Sequence, residues 1–159
     1  MRLPSFFKTR KFCVYIWVAF IVLWTAFIFA HSLMDAEKSG GQSARLLEFI
    51  ENLGRLLYPE FELSHNFLRK CAHFFEYFML GAIWSQGLWI FEKRRKILSR
   101  EILLSGVLTA LVDETLQLFS KGRSGSVSDV WLDYSAFVVS FLIFCLIFFA
   151  KYNKKRKKF

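Results

Sequence analysis

Cys71 to Phe91 is an apolar run in which His73 and Glu76 are the only imidazole and the only carboxylate. Arg69 and Lys70 stand just ahead of it, in the stretch R-K-C-A-H-F-F-E-Y. With the apolar residues before Arg69, the segment from about Phe67 to Phe91 is long enough to cross a bilayer, which takes about 20 residues. An ionisable group inside such a segment is costly against lipid, so it faces protein or water and marks a site. On a helix, His73, Glu76 and Tyr77 fall at i, i+3 and i+4 and share one face. A chain built around this segment needs other helices to supply partners for that face.

Three further runs answer that need. Phe12 to Ala30 is 19 residues without a charge. That exceeds the apolar region of a signal peptide, about 7–15 residues, so an uncleaved first span is expected, closed by His31 and Ser32. A third span is expected over about Ile102 to Phe119, apolar until Asp113, Glu114 and Gln117, and a fourth over about Asp129 to Tyr152. Between the first two, Leu46, Leu47, Phe49, Ile50, Leu53, Leu56 and Leu57 recur at helical spacing, with Arg45, Glu48, Glu51, Asn52 and Arg55 on the other face. This predicts an amphipathic helix from Ser43 to near Tyr58-Pro59, lying in the membrane interface. Gly40-Gly41 ahead of it is expected to be flexible. The composition agrees with an integral membrane protein: 55% of the 159 residues are hydrophobic, 20 of them Phe.

The net charge of +9 by itself suits nucleic acid, but its distribution does not. Fifteen of the 22 Lys and Arg fall in the N-terminus, the 92–101 loop and the C-terminal end from Lys151 onward. The positive-inside rule places these three segments in the cytoplasm. The expectation is an all-α, four-helix transmembrane bundle with both termini cytoplasmic. Residues 1–11 form a basic N-terminus, 12–152 the membrane domain and 153–159 a basic tail. Anionic membrane lipid is the expected partner of the basic segments, and nucleic acid is not needed. Cys13, Cys71 and Cys145 are odd in number and lack a C-x-x-C pair, so neither a disulfide framework nor a zinc site is indicated.

This topology gathers the unusual residues at the outer ends of the spans. Ser32 closes the first. Arg69, Lys70, His73, Glu76 and Tyr77 open the second. Asp113, Glu114 and Gln117 end the third, and Asp129 and Asp133 begin the fourth. His73, Glu76, Asp113, Glu114 and Asp133 are the candidate catalytic residues, and two chemistries fit them. A histidine among carboxylates is a general acid or base. The same donors also suit a divalent cation, although their spacing matches no diagnostic metal motif. Ser32, Arg69, Lys70, Tyr77, Gln117, Arg123 and Asp129 are the candidate ligand-binding residues. The cations flank the layer, and with the amides of the Gly/Ser loop at 120–128 they suit an anion such as phosphate. Asp129 has a second reading, because Ser126-Val-Ser-Asp129 also fits a helix capping box.

R-K-C-A-H-F-F-E-Y, D-E-T-L-Q-L-F and G-R-S-G-S-V-S-D-V-W-L-D, in that order and spacing, resemble the VanZ-like family of bacterial membrane proteins. The resemblance covers about residues 12 to 150. The family's polar signature then falls on Arg69, Lys70, His73, Glu76, Tyr77, Asp113, Glu114, Gln117, Gly122, Arg123, Asp129 and Asp133, with Ser32 at the end of the first span. Lys121 stands where the family often has proline, and Ala136 where it often has glycine. The resemblance implies a cell-envelope role, the family's namesake being linked to low-level teicoplanin resistance. The leading expectation is an outward-facing site that binds or processes an anionic lipid-linked or peptidoglycan-related ligand. The rivals are a proton- or ion-coupled transporter, which needs polar groups continuing inward, and a non-catalytic assembly partner, which tolerates Asp113→Asn.

Overall fold

The computed structural model describes residues 5–91, 95–123 and 125–156. The expected basic features at 1–4, 92–94 and 157–159, together with Ser124, lie outside the described residues. All regular structure among the described residues is helical: α1 (Ser5–Ser32), α2 (Ala36–Arg55), α3 (His65–Ser85), the single turn α4 (Gly87–Ile90), α5 (Arg95–Gln117) and α6 (Val127–Arg156). Two segments, Arg10–Ser32 and Val127–Lys151, are long and apolar enough to cross a membrane. Around α1, Phe12, Tyr15, Phe20, Val22 and Leu23 are exposed. So large an apolar surface requires a partner other than water.

Four element boundaries differ from those expected. α2 begins at Ala36 and takes Gly40-Gly41 into the helix. Two glycines cost about 1 kcal/mol each there, and the helix formers around them, together with the continuous hydrogen-bond ladder, outweigh that cost. α5 begins at Arg95 instead of Ile102, and α6 continues to Arg156. Lys and Arg are good helix formers, so the end of an apolar run does not stop a helix. The second apolar segment breaks near its end, where the Gln86 N–H turns to Ile83 O at 3.2 Å. The Trp17 indole docks at this break and donates to Ile83 O at 2.8 Å.

The packing follows from one stripe on each helix. On α3 the stripe is His73, Glu76, Tyr77, Leu80, Gly81 and Ser85; on α6 it is Asp133, Ala136, Phe137, Ser140 and Phe141. On α5 it is Ile102, Gly106, Ala110, Asp113 and Gln117. The spacing of three and four residues keeps each set on one face. α3 and α6 run parallel: Lys70 meets Asp129, and farther along Gly81 meets Ser140 at the same offset. α5 runs antiparallel to α6, with Gly106 on Phe137 and Glu114 on Ser126. α1 runs antiparallel to α3 and is held by ring nitrogens seven residues apart, Trp17 on Ile83 O and Trp24 on Glu76 O (2.9 Å).

The buried Phe137 ring is central to this arrangement. A Cβ at Gly81 would stand 2.6 Å from Phe137 O, and one at Gly106 would stand 2.6 Å from the Phe137 ring. Two helices approach α6 closely because neither carries a side chain at the contact, as small-residue interfaces in membranes do. α2 sits apart from this core, with Leu46, Phe49, Leu53, Leu56 and Leu57 exposed. Its polar side is tied to the segment leading into α3, since Glu51 takes Arg55 at 3.0 Å and the Leu63 N–H at 3.0 Å.

Gly81→Ala should lower thermal stability by about 1–3 kcal/mol, because the added methyl forces α3 off α6. Gly41→Ala meets nothing within 4 Å and should be neutral or stabilising by about 0.5–1 kcal/mol. Thermal unfolding of the two detergent-solubilised variants checks the pair.

Candidate functional site

The stripes on α3, α5 and α6 are apolar along most of their length and polar at one end. At that end Asp113 and Asp133 are 0% and 1% exposed, and His73 is 8% exposed. One ligand atom from each of these three residues lies within 4.8 Å of the other two. Neither carboxylate oxygen of Asp133 has a hydrogen-bond partner, nor does His73 Nδ1, whereas Ser32 and Gln117 stand beside the Asp113 carboxylate. The groups converge without touching, at a separation that one water or ion spans. The nearest carboxylate to His73 Nδ1 is on its own helix, Glu76 Oε2 at 3.9 Å.

Glu76 has a partner that the sequence did not bring into the site. His31 Nδ1 lies 2.9 Å from Glu76 Oε1, and the His31 ring stacks near His73 with centroids 6.1 Å apart. His31 completes a series with Trp17 and Trp24, three aromatic rings with nitrogen donors at seven-residue spacing along α1. That spacing was the available signal. It was hidden because a histidine at the end of an apolar run reads as a boundary residue. The buried Ser32 hydroxyl stands beside the Asp113 carboxylate, and the buried Tyr77 hydroxyl has no hydrogen-bond partner.

Glu114 and Asp129 divide their roles in an unexpected way. A capping box would have the Asp129 carboxylate accept the Ser126 N–H. Instead Glu114 Oε2 accepts it, from α5, at 2.8 Å, and Glu114 Oε1 takes the Gln117 amide at 2.8 Å. The Ser126 hydroxyl caps the Ser128 N–H at 3.3 Å. Asp129 is left facing Lys70, with Nζ 3.8 Å from Oδ1. The reason is geometric. The 118–126 loop returns over the end of α5 and brings Ser126 within reach of a carboxylate already buried there.

The same loop closes the end of α1. The Ser32 carbonyl, one of the orphan acceptors of a helix terminus, takes the Ser120 hydroxyl at 2.9 Å and Arg123 Nη1 at 3.4 Å. Asp35 Oδ1 takes the Lys121 N–H at 3.3 Å. Gly122, with φ 73°, supplies the turn. Burial pushes Arg123 down from its ordinary value, and the nearby Arg69 cation adds to the effect; a guanidinium nevertheless stays charged. A narrow opening of about 10 Å³ leads to the cluster past Arg69, Lys70, His73 and Asp133, with Gln117 and Asp129 at its sides. Every expected site residue lies in this region. His73, Asp113 and Asp133 converge, Arg69, Lys70 and Arg123 rim the layer, and Glu114, Gln117 and Asp129 join α5, α6 and the loop.

Residues 17–149 match the sequence model of a protein family described as VanZ/LLP1. No curated protein and no solved structure gives a significant match.

His31→Ala leaves Glu76 buried with its stronger partner gone, and should cost about 1.5–3 kcal/mol, the range for a hydrogen bond to a charged group. Adding Glu76→Gln to His31→Ala should recover part of that loss. A double-mutant cycle on thermal stability measures the coupling; additive losses would show that the pair does not interact.

Proposed function

This chain belongs to the VanZ/LLP1 family, and from that premise we propose that it is a four-span envelope protein whose outward-facing site binds and processes an anionic headgroup. Family membership and two helices long and apolar enough to cross a membrane support a membrane protein. The proposal adds that α3 and α5, 21 and 23 residues long, span as well, with both termini in the cytoplasm. The charge split between the two sides supports that orientation.

One observation carries the site: Arg69 and Lys70 line a small cavity that reaches the buried His73 and Asp133, and Arg123 stands at the end of α1 on the Ser32 carbonyl. Cations gathered at the mouth of a buried polar layer suit an anion entering there. Phosphate and carboxylate headgroups of lipid-linked cell-wall intermediates have this chemistry, and their tails stay in the bilayer. Arg69, Arg123 and Lys70 hold the headgroup, and Gln117 and Asp129 shape the opening. The buried cluster of His73, Glu76, Asp113, Glu114 and Asp133 is the reactive end of the site. Transport is less well supported. Beyond this layer the buried polar side chains among the described residues are Ser85 and Ser140, and two hydroxyls make no charge relay.

Two experiments test the proposal. Reporter fusions after Glu62 and after Gly122 should read as outside, and one within residues 92–94 as inside; a cytoplasmic signal after Glu62 inverts the topology. For the site, Arg123→Lys keeps the charge but not the two parallel hydrogen bonds. It should weaken binding of a polyprenyl phosphate to the solubilised protein by about 10–100-fold, the equivalent of one charge-assisted hydrogen bond, with Tm near wild type. Glycopeptide susceptibility of cells carrying the variant gives the in-cell comparison. Equal loss of Tm and binding would make Arg123 structural, and loss of neither would remove it from the site.

A further inference from the structure

The buried end of the site presents a specific problem. Asp113 from α5 and Asp133 from α6 bring two carboxylates together where both are almost wholly enclosed. Neither carboxylate oxygen of Asp133 has a hydrogen-bond partner, and Asp113 has only the neutral side chains of Ser32 and Gln117 as hydrogen-bonding neighbours. Two carboxylates in one apolar enclosure repel each other and lose their hydration. His73, from a third helix, points a nitrogen at the same space. Three helices thus bring donor atoms to one point, and the cations Arg69 and Lys70 line the small cavity beside it.

We propose that His73, Asp113 and Asp133 hold a first-row divalent metal ion of the zinc or manganese kind. The donor set selects the class. One imidazole and two carboxylates suit zinc, manganese or iron, whereas calcium and magnesium take oxygen ligands. The charge also balances, since a dication matches two carboxylates. The spacing is close to that required. A tetrahedral ion with bonds of about 2.0–2.1 Å holds its ligands about 3.4 Å apart, and the three ligand atoms already lie within 4.8 Å of one another. Three protein ligands leave one coordination position open, which is the pattern of a reactive site and not a structural one. The open side faces the narrow entrance past Arg69 and Lys70. An anionic oxygen entering there meets the ion in front and the cations at its flanks. His31 and Glu76 stand behind His73 as the groups that orient it.

This deepens the proposed function by naming the cofactor of its reactive end. It rests on the buried cluster and not on the cationic rim, so the two fail separately. The test is metal content and thermal stability of the full chain, purified in detergent without chelator. Wild type should carry about one ion per chain, and Asp133→Asn and His73→Ala should each lower that content by at least about tenfold. Arg69→Ala, a rim variant, should keep the ion while losing the polyprenyl phosphate. Stripping wild type with EDTA should lower its Tm, and Zn2+ or Mn2+ should restore it, a readout that does not depend on any variant folding. The proposal is overturned if wild type carries no ion and its Tm ignores Zn2+, Mn2+ and Mg2+. Ion content that survives Asp133→Asn overturns the assigned ligands, and a Tm response to Mg2+ alone overturns the assigned class of ion.

Discussion

The close approach of α3 to α6 at Gly81 sets the position of nearly everything else. A backbone oxygen of α6 lies where a Cβ of α3 would be, so the two helices have little freedom to slide or rotate. The helices are parallel, so a contact fixed at Gly81 propagates outward in register. Tyr77 falls beside the Ala136 level, His73 beside Asp133, and Lys70 beside Asp129. A rise of about 1.5 Å per residue converts any slip at the glycine into a comparable slip at the polar end. Sites of this kind tolerate errors of about half an ångström in their groups. The stiffness of the apolar half is thus a condition for the chemistry of the polar half.

Each packed helix carries this division within a single stripe. Leu80, Gly81, Ala110, Ile102, Ala136, Phe137 and Phe141 fill one half, and His73, Glu76, Asp113, Gln117 and Asp133 the other. Acids near the centre of a bilayer cost about 2.5–3.5 kcal/mol each on insertion scales. Placing them at helix ends, under a loop that supplies backbone N–H groups, lowers that cost. Glu114 shows how. It is buried, but both of its oxygens are hydrogen-bonded, one of them to the loop backbone at Ser126. Asp133 receives no such compensation, so neighbouring acids differ in how their burial is met.

Much of this was legible in the sequence, for identifiable reasons. Long apolar runs and a polar face at i, i+3 and i+4 are local patterns, so the helices and the grouping of His73, Glu76 and Tyr77 could be read directly. Helix ends could not, because hydrophobicity marks where a bilayer ends and not where a backbone ladder stops; α5 and α6 run on through basic residues, and α2 runs through Gly40-Gly41. Long-range choices were also out of reach. Ser126-Val-Ser-Asp129 satisfied a local capping pattern, yet Glu114 took the N–H because the loop folds back over α5. His31 looked like the end of a helix until Glu76, 45 residues away in sequence, appeared opposite it.

The clamp on the end of α1 bears on how the chain is made. α1 is synthesised first, but the groups that bond its last carbonyl lie 88 and 91 residues later. At about 5–20 residues per second, translation takes about 4–18 s to cover that distance. Trp17 also waits for Ile83, 66 residues downstream. Through that interval α1 stands in the membrane with no partner. It can do so because its surface is apolar nearly all round and its backbone bonds are internal. The burden of assembly therefore falls on the later helices, which carry the acids. α3 and α5 are each made before α6 exists to receive them, and Asp133 is among the last of the buried groups to leave the ribosome.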